Sequence, residues 1–105
     1  MILLNLAQNA IKAMPSGGEL IFTTDKDRNY VIIQVKDTGV GIEEEKINHI
    51  FEPFYSEGNL NRLKGTGLGL AIVKSLVDKY KGTISVSSII KEGTTFTLKF
   101  PRVKK

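Results

Sequence analysis

The chain has no cysteine, and His49 is its only histidine. Without cysteine there is no disulfide framework and no thiolate metal site, which fits an intracellular protein. A single imidazole excludes a histidine-rich metal cluster. No apolar run approaches the ~20 residues of a membrane-spanning helix. The first residues, Met1-Ile2-Leu3-Leu4-Asn5, lack the basic region of a secretory signal. There is no internal repeat and no low-complexity stretch. A G-x-x-x-x-G-K-[ST] phosphate loop is absent, and the one glycine-rich run follows no early βαβ unit, so it is not a dinucleotide fingerprint.

What remains is ordinary in bulk and specific in detail. A length of 105 residues makes one domain, spanning 1–105, with room for a single core. Hydrophobic residues make up 41% and charged residues 25%, as in globular domains that are not membrane-embedded. The net charge of +4 suits a phosphate ligand as well as nucleic acid and does not decide between them.

The apolar periodicity predicts a helix over 2–14, buried except for a polar stripe of Asn5, Gln8, Asn9 and Lys12. Pro15-Ser16-Gly17-Gly18 ends it. Strands are predicted at 19–25 and 30–37, joined by a turn at Lys26-Asp27-Arg28-Asn29, with Val31, Ile33 and Val35 on one face. A short helix over 43–50 begins with Glu43-Glu44-Glu45, which suits the helix dipole. Residues 55–66 read as a mobile loop. An amphipathic helix over 67–80 carries Ile72, Val73, Leu76, Val77 and Tyr80. Strands at 83–88 and 94–100 follow. This order predicts an α+β fold: a two-layer sandwich, with a mixed, mainly antiparallel sheet packed on a layer of helices.

Four segments stand out: Asn5-Leu6-Ala7-Gln8-Asn9-Ala10, Asp37-Thr38-Gly39-Val40-Gly41, Gly65-Thr66-Gly67-Leu68-Gly69-Leu70 and Gly93-Thr94-Thr95-Phe96. Asn5 and Asn9 are four apart and share a helix face with Lys12. An amide oxygen there suits Mg²⁺, and the lysine suits a phosphate; the bland alternative is a solvated stripe. Asp37 at a strand end can accept a hydrogen bond from an exocyclic amine, and the glycines beside it can admit a flat ligand. An ordinary Asp-Thr-Gly turn is the alternative. Gly65 to Gly69 runs into a helix, where exposed N–H groups can hold an anion, or it is a flexible hinge. Arg62 and Lys64 either pair with phosphate or are simply solvated. Phe51-Glu52-Pro53-Phe54-Tyr55 reads as a plug for the core and His49 as a surface or packed helix residue.

Taken together, these segments resemble the catalytic and ATP-binding domain of sensor histidine kinases, in the group that includes DNA gyrase, heat-shock chaperone ATPases and mismatch-repair ATPases. Asn5 to Ala13 matches the N box, Asp37 to Gly41 the G1 box and Phe51 to Phe54 the F box. Gly65 to Gly69 matches the G2 box and Gly93 to Phe96 the G3 element. The resemblance implies a Bergerat-type ATP pocket with Mg²⁺ on Asn9, phosphate on Lys12 and adenine on Asp37. Gly39, Gly41 and Ile42 would line the base, and Thr94 would support it through water. Residues 55–66 would be the ATP lid, with Phe54, Arg62, Lys64, Gly65, Thr66, Gly67, Leu68, Gly69 and Leu70 around the nucleotide.

The hydrolysing relatives carry a glutamate four residues before the metal-binding asparagine. Here that position is Asn5, an amide without basic character. The resemblance therefore implies a kinase that passes the γ-phosphoryl group of ATP to a histidine on a separate dimerisation domain, and thence to a response regulator. ADP would be the product. The location would be cytoplasmic, with no nucleic acid partner and no membrane contact by this domain. The family's domain normally has a strand and helix before the N box, so the expectation is a domain truncated at its N-terminus. Two rivals stand beside this reading. One is an ATP-hydrolysing chaperone or DNA-repair type ATPase, which Asn5 opposes. The other is a non-catalytic basic binding module, opposed by the lack of aromatics interleaved with the basic residues.

Overall fold

A computed structural model describes residues 2–52 and 69–102. The elements run α1 (Ile2–Lys12), β1 (Leu20–Lys26), β2 (Tyr30–Asp37), α2 (Glu44–Ile47), α3 (Gly69–Lys79), β3 (Thr83–Ile89) and β4 (Gly93–Pro101). The strands form one sheet in the order β1-β2-β4-β3. All three pairings are antiparallel, so the parallel component of the predicted mixed sheet is not found among the described strands. The α+β class and the two layers are as predicted.

The alternation of apolar residues builds the sheet's inner face. Phe96 and Leu98 of β4 are buried, and so is Val35 of β2. Opposite them lie Leu6 of α1 and Val73 and Val77 of α3, with Ile42 and Ile50 closing the cluster. Phe51 meets Phe96 edge-on at 6.2 Å between ring centres, so this member of the aromatic cluster does plug the core. Asp27 makes the turn between β1 and β2: its Oδ1 accepts the N–H groups of Asn29 (2.8 Å) and Tyr30 (2.7 Å).

Two local expectations need correction. First, α1 is not buried on all but its polar side. Only Leu6 and Ala10 are buried, while Leu3, Leu4 and Ile11 are exposed. A four-residue spacing suffices to seat the helix on the core, and no described element covers its flanks. Ile2, Leu3 and Leu4 instead line an open apolar groove of about 460 Å³ with Leu76 and Tyr80 of α3. The helix also stops at Lys12, because Met14 N–H turns back to Ile11 O in a tighter i→i−3 bond (3.1 Å).

Second, α2 is one turn rather than two. Past Ile47 the chain makes i→i−3 bonds, His49 N–H to Lys46 O (3.0 Å) and Glu52 N–H to His49 O (3.0 Å). His49 is exposed and sits 2.9 Å from Glu52 Oε2, in line with a surface role.

Helix α3 ends on a left-handed residue that is not a glycine. Lys81 holds that position at φ 62°. Its N–H reaches Asp78 O (3.0 Å), and Gly82 N–H reaches Val77 O (2.9 Å), the paired bonds of a Schellman motif. Gly82 is needed for packing, since a Cβ there would come within 2.7 Å of Lys99 O on β4.

Candidate functional site

The site begins where β2 ends. Asp37 lies directly opposite Thr94 of β4, and Thr94 lies directly opposite Ser88 of β3. The three residues form a polar row across three strands on the otherwise apolar inner face. Asp37 is 3% exposed and Thr94 4%. Asp37 Oδ1 accepts the Gly39 N–H at 2.8 Å. Burial raises its carboxyl above the ordinary value of 3.8, and that outweighs the stabilising hydrogen bonds from the Gly39 and Thr94 N–H groups. A buried carboxyl with a raised pKa at a strand end is a candidate acceptor for a ligand's donor group.

The loop after Asp37 is clamped on every side. Thr38 and Glu19 exchange two hydrogen bonds, Glu19 N–H to Thr38 Oγ1 (2.9 Å) and Thr38 N–H to Glu19 O (3.2 Å). Val40 N–H donates to Ala13 O at the end of α1 (3.0 Å), and Lys91 N–H donates to Val40 O (2.8 Å). Ile42 N–H donates to Ser88 Oγ (2.8 Å). The glycines of this loop therefore have a further reason beside the one read from sequence. A Cβ on Gly39 would collide with Ala13 O, and one on Gly41, at φ +78°, with Ile89 O. They admit neighbouring backbone, which packs the loop between α1 and the β3–β4 turn.

The second cluster is the amide stripe. Asn5 and Asn9 are half-buried, whereas Gln8 and Lys12 are exposed. Asn5 faces the start of α3: a Cβ built on Gly69 would lie 3.3 Å from Asn5 Oδ1. Thus the N-terminal stripe and the last glycine of the glycine-rich run meet, although 64 positions separate them. Leu70 packs against the core, as does Ile42. Phe54, Arg62, Lys64, Gly65, Thr66, Gly67 and Leu68 lie outside the described residues.

The polar row at the strand ends and the amide stripe on α1 are linked through Ala13, the residue just past the helix. Ser88 was missed from sequence. Its signal was its place in the alternation Ile84, Val86, Ser88: a hydroxyl where an inward apolar residue is expected.

Residues 1–104 match the family model described as histidine kinase-, DNA gyrase B-, and HSP90-like ATPase. The chain belongs to this ATPase family. Among curated members, it is 44% identical to the autoinducer 2 sensor kinase/phosphatase LuxQ of Vibrio vulnificus, over 95% of this chain and 12% of that protein. It is 38% identical to sporulation kinase A of Bacillus subtilis, over 96% of this chain and 16% of that protein. The chain thus spans a small part of these relatives' length.

Solved structures of the family agree. The catalytic domain of the histidine kinase ThkA superposes with a TM-score of 0.80 at 34% identity, covering 95% of this chain and 64% of that one. Full-length ShkA in complex with AMPPNP gives 0.82 at 34% identity, covering 95% and 20%. No helix of the described residues in this family member is long and apolar enough to cross a membrane.

Proposed function

We propose that this domain binds Mg·ATP and donates its γ-phosphoryl group to a histidine on a separate dimerisation domain, in two-component signalling. The observation that carries the reading is the buried Asp37, opposite Thr94 at the strand ends, in a chain of this ATPase family. Asp37 accepts a hydrogen bond from the adenine amine. Gly39, Gly41 and Ile42 form the wall of the base site, and Thr94 supports the base through water. Lys12, exposed in the last turn of α1, contacts phosphate as a point charge. The lid assigned to residues 55–66, and the nucleotide contacts assigned to Phe54, Arg62, Lys64 and Gly65–Leu68, belong to this proposal and lie outside the described residues, while Gly69 and Leu70 begin α3.

The donor set fits Mg²⁺. No group of three or more His, Cys, Asp or Glu that could cage a metal occurs among the described residues. Mg²⁺ does not need one: a single amide oxygen, from Asn9, suffices alongside waters and phosphate oxygens. An ion held by Asn9 would supply charge neutralisation on the transferring phosphate.

The chain's own contribution is then binding and orientation. Asn5, beside Gly69, has no basic character and leaves water unactivated, which suits attack by an imported imidazole over hydrolysis. The imidazole nitrogen bonds to the γ-phosphorus as the bridging P–O bond breaks, and ADP leaves. The response regulator takes the phosphoryl group next. We place the domain in the cytoplasm, without nucleic acid or membrane contact of its own.

Calorimetric titration with Mg·ADP of the wild type and of Asp37→Asn tests the reading. Saturable binding that Asp37→Asn weakens more than about tenfold, the scale of one lost charged hydrogen bond, with circular dichroism unchanged, is expected. Equal binding by both proteins would remove Asp37 from the base site.

A further inference from the structure

We infer that β1 is a self-association edge: two copies of this chain pair their β1 strands antiparallel about a two-fold axis, joining their sheets into one. The inference does not depend on the proposed nucleotide site. β1 ends the sheet, and no strand lies beyond it among the described residues. The direction of its backbone groups follows from its two ends. Asp27 N–H donates to Tyr30 O, and Thr38 N–H donates to Glu19 O. Both pairs continue the β1–β2 register. Bonded positions alternate along an antiparallel pair. Residues 19, 21, 23, 25 and 27 therefore bond β2, while Leu20, Phe22, Thr24 and Lys26 turn their N–H and C=O groups away from it. The Lys26 N–H is already taken by Asp25 Oδ1 at 2.7 Å.

The remaining groups lack the usual protections of an edge. β1 has no proline, pairs with β2 along its whole length without a bulge, and carries charge only at Asp25 and Lys26. Ile21 on the outer face is 42% exposed and Phe22 on the inner face 48%. A second copy is the fitting occupant because the free groups are self-complementary about Phe22. Setting Phe22 opposite Phe22 of its partner sets Leu20 opposite Thr24, and every N–H and C=O of these three residues is then bonded in both copies. Centring on Thr23 would set Leu20 against Lys26, whose N–H is taken. Centring on Ile21 would set Thr24 against Gly18, outside the strand. The favoured register stacks the two Phe22 rings on the inner face. It also sets Glu19 opposite Asp25 at each end, a like-charge contact that weakens the pairing.

Sedimentation equilibrium from dilute to concentrated protein, with hydrogen exchange of the backbone amides, tests this. The mass is expected to rise toward twice the monomer. The amides of Leu20, Phe22 and Thr24 should gain protection with concentration, whereas those of Ile21 and Thr23, bonded to β2, are protected throughout. Phe22→Lys and Thr24→Pro should each raise the dissociation constant by about tenfold or more. Thr24→Pro removes an N–H that β2 does not use. Glu19→Lys turns the like-charge contact into an attractive one and should lower the constant. Each variant is checked for fold by circular dichroism, and Glu19→Lys, a gain at an exposed residue, carries the comparison should another variant not fold. A chain that stays monomeric at every concentration would overturn the inference. A dimer indifferent to Phe22→Lys and Thr24→Pro would do so too, placing the contact on another face such as the groove beside Leu4 and Tyr80. A dimer that Glu19→Lys leaves unchanged or weakens would overturn the register and the pairing argued from it.

Discussion

Asp37 is the buried carboxyl on which the proposed base site turns, and its pH behaviour is a prediction with two opposite signs. Burial raises its pKa above 3.8. As pH falls, Asp37 therefore takes up its proton earlier than an exposed carboxylate, and the protonated group is a poorer acceptor. Affinity for adenosine and for Mg·ADP is expected to fall on acidification before the ordinary carboxylate range is reached. Adenosine, lacking phosphate, separates this from titration of the nucleotide. Stability moves the other way. The folded pKa exceeds the unfolded one, so between the two values the folded chain binds more protons and Asp37 contributes stability as pH falls; above the folded value it contributes a penalty. Thermal unfolding across the same pH range should show this component in the wild type and lose it in Asp37→Asn. Adenosine affinity that stays constant down to pH 3.8 would sink the assignment. The sequence showed Asp37 because it ends a strand and opens the glycine-containing segment Asp37-Thr38-Gly39-Val40-Gly41. It did not show why Gly39 and Gly41 are glycine, because Ala13 and Ile89, the residues they must clear, come from other elements.

At the scale of elements, the helix ends carry the most direct prediction. Lys81 sits in the left-handed region that glycine occupies at little steric expense. Lys81→Gly is expected to stabilise the domain by about 1 kcal/mol, the cost of a non-glycine residue in that conformation. Thermal unfolding would report it as a rise of a few degrees, and a fall in Tm would show that the Lys81 side chain does something its backbone does not reveal. The left-handed cap of α3 falls on Lys81, one position before Gly82. The strand spans were legible almost to the residue, because β-branched runs were bounded by turn residues such as Asp27. Helix α1 was over-read. Its wheel is apolar over most of its circumference, yet a helix needs only the line through Leu6 and Ala10 to seat on one sheet. Leu4 and Ile11, 54% and 61% exposed, show that composition gives the apolar arc and the neighbours decide how much is used.

The whole molecule ties the site to the core through one strand. In β4, Thr94, Phe96 and Leu98 follow one another on the inner face, and each is nearly inaccessible. Phe96 stands opposite Val35, as Thr94 stands opposite Asp37, so the floor of the proposed base site and the centre of the core are adjacent register steps. Alternation in the sequence tells which residues share a face but not which strands are neighbours. The placing of β4 between β2 and β3, which builds the row Asp37–Thr94–Ser88, was therefore not legible in advance. The consequence is that core and site should fail together. Phe96→Ala removes a ring that packs on Phe51, and is expected to cost about 3–5 kcal/mol, a large share of the 5–15 kcal/mol typical of a domain. Mg·ADP binding should weaken with it even where the protein remains folded. Phe22, on the edge strand β1, is 48% exposed. Phe22→Ala is expected to cost under about 1 kcal/mol and to leave binding unchanged. Urea unfolding of both variants, with Mg·ADP titration under folding conditions, makes the comparison. If Phe96→Ala lost stability yet bound Mg·ADP as tightly as the wild type, the strand ends would be held by the loop clamps alone, independently of the core beneath them.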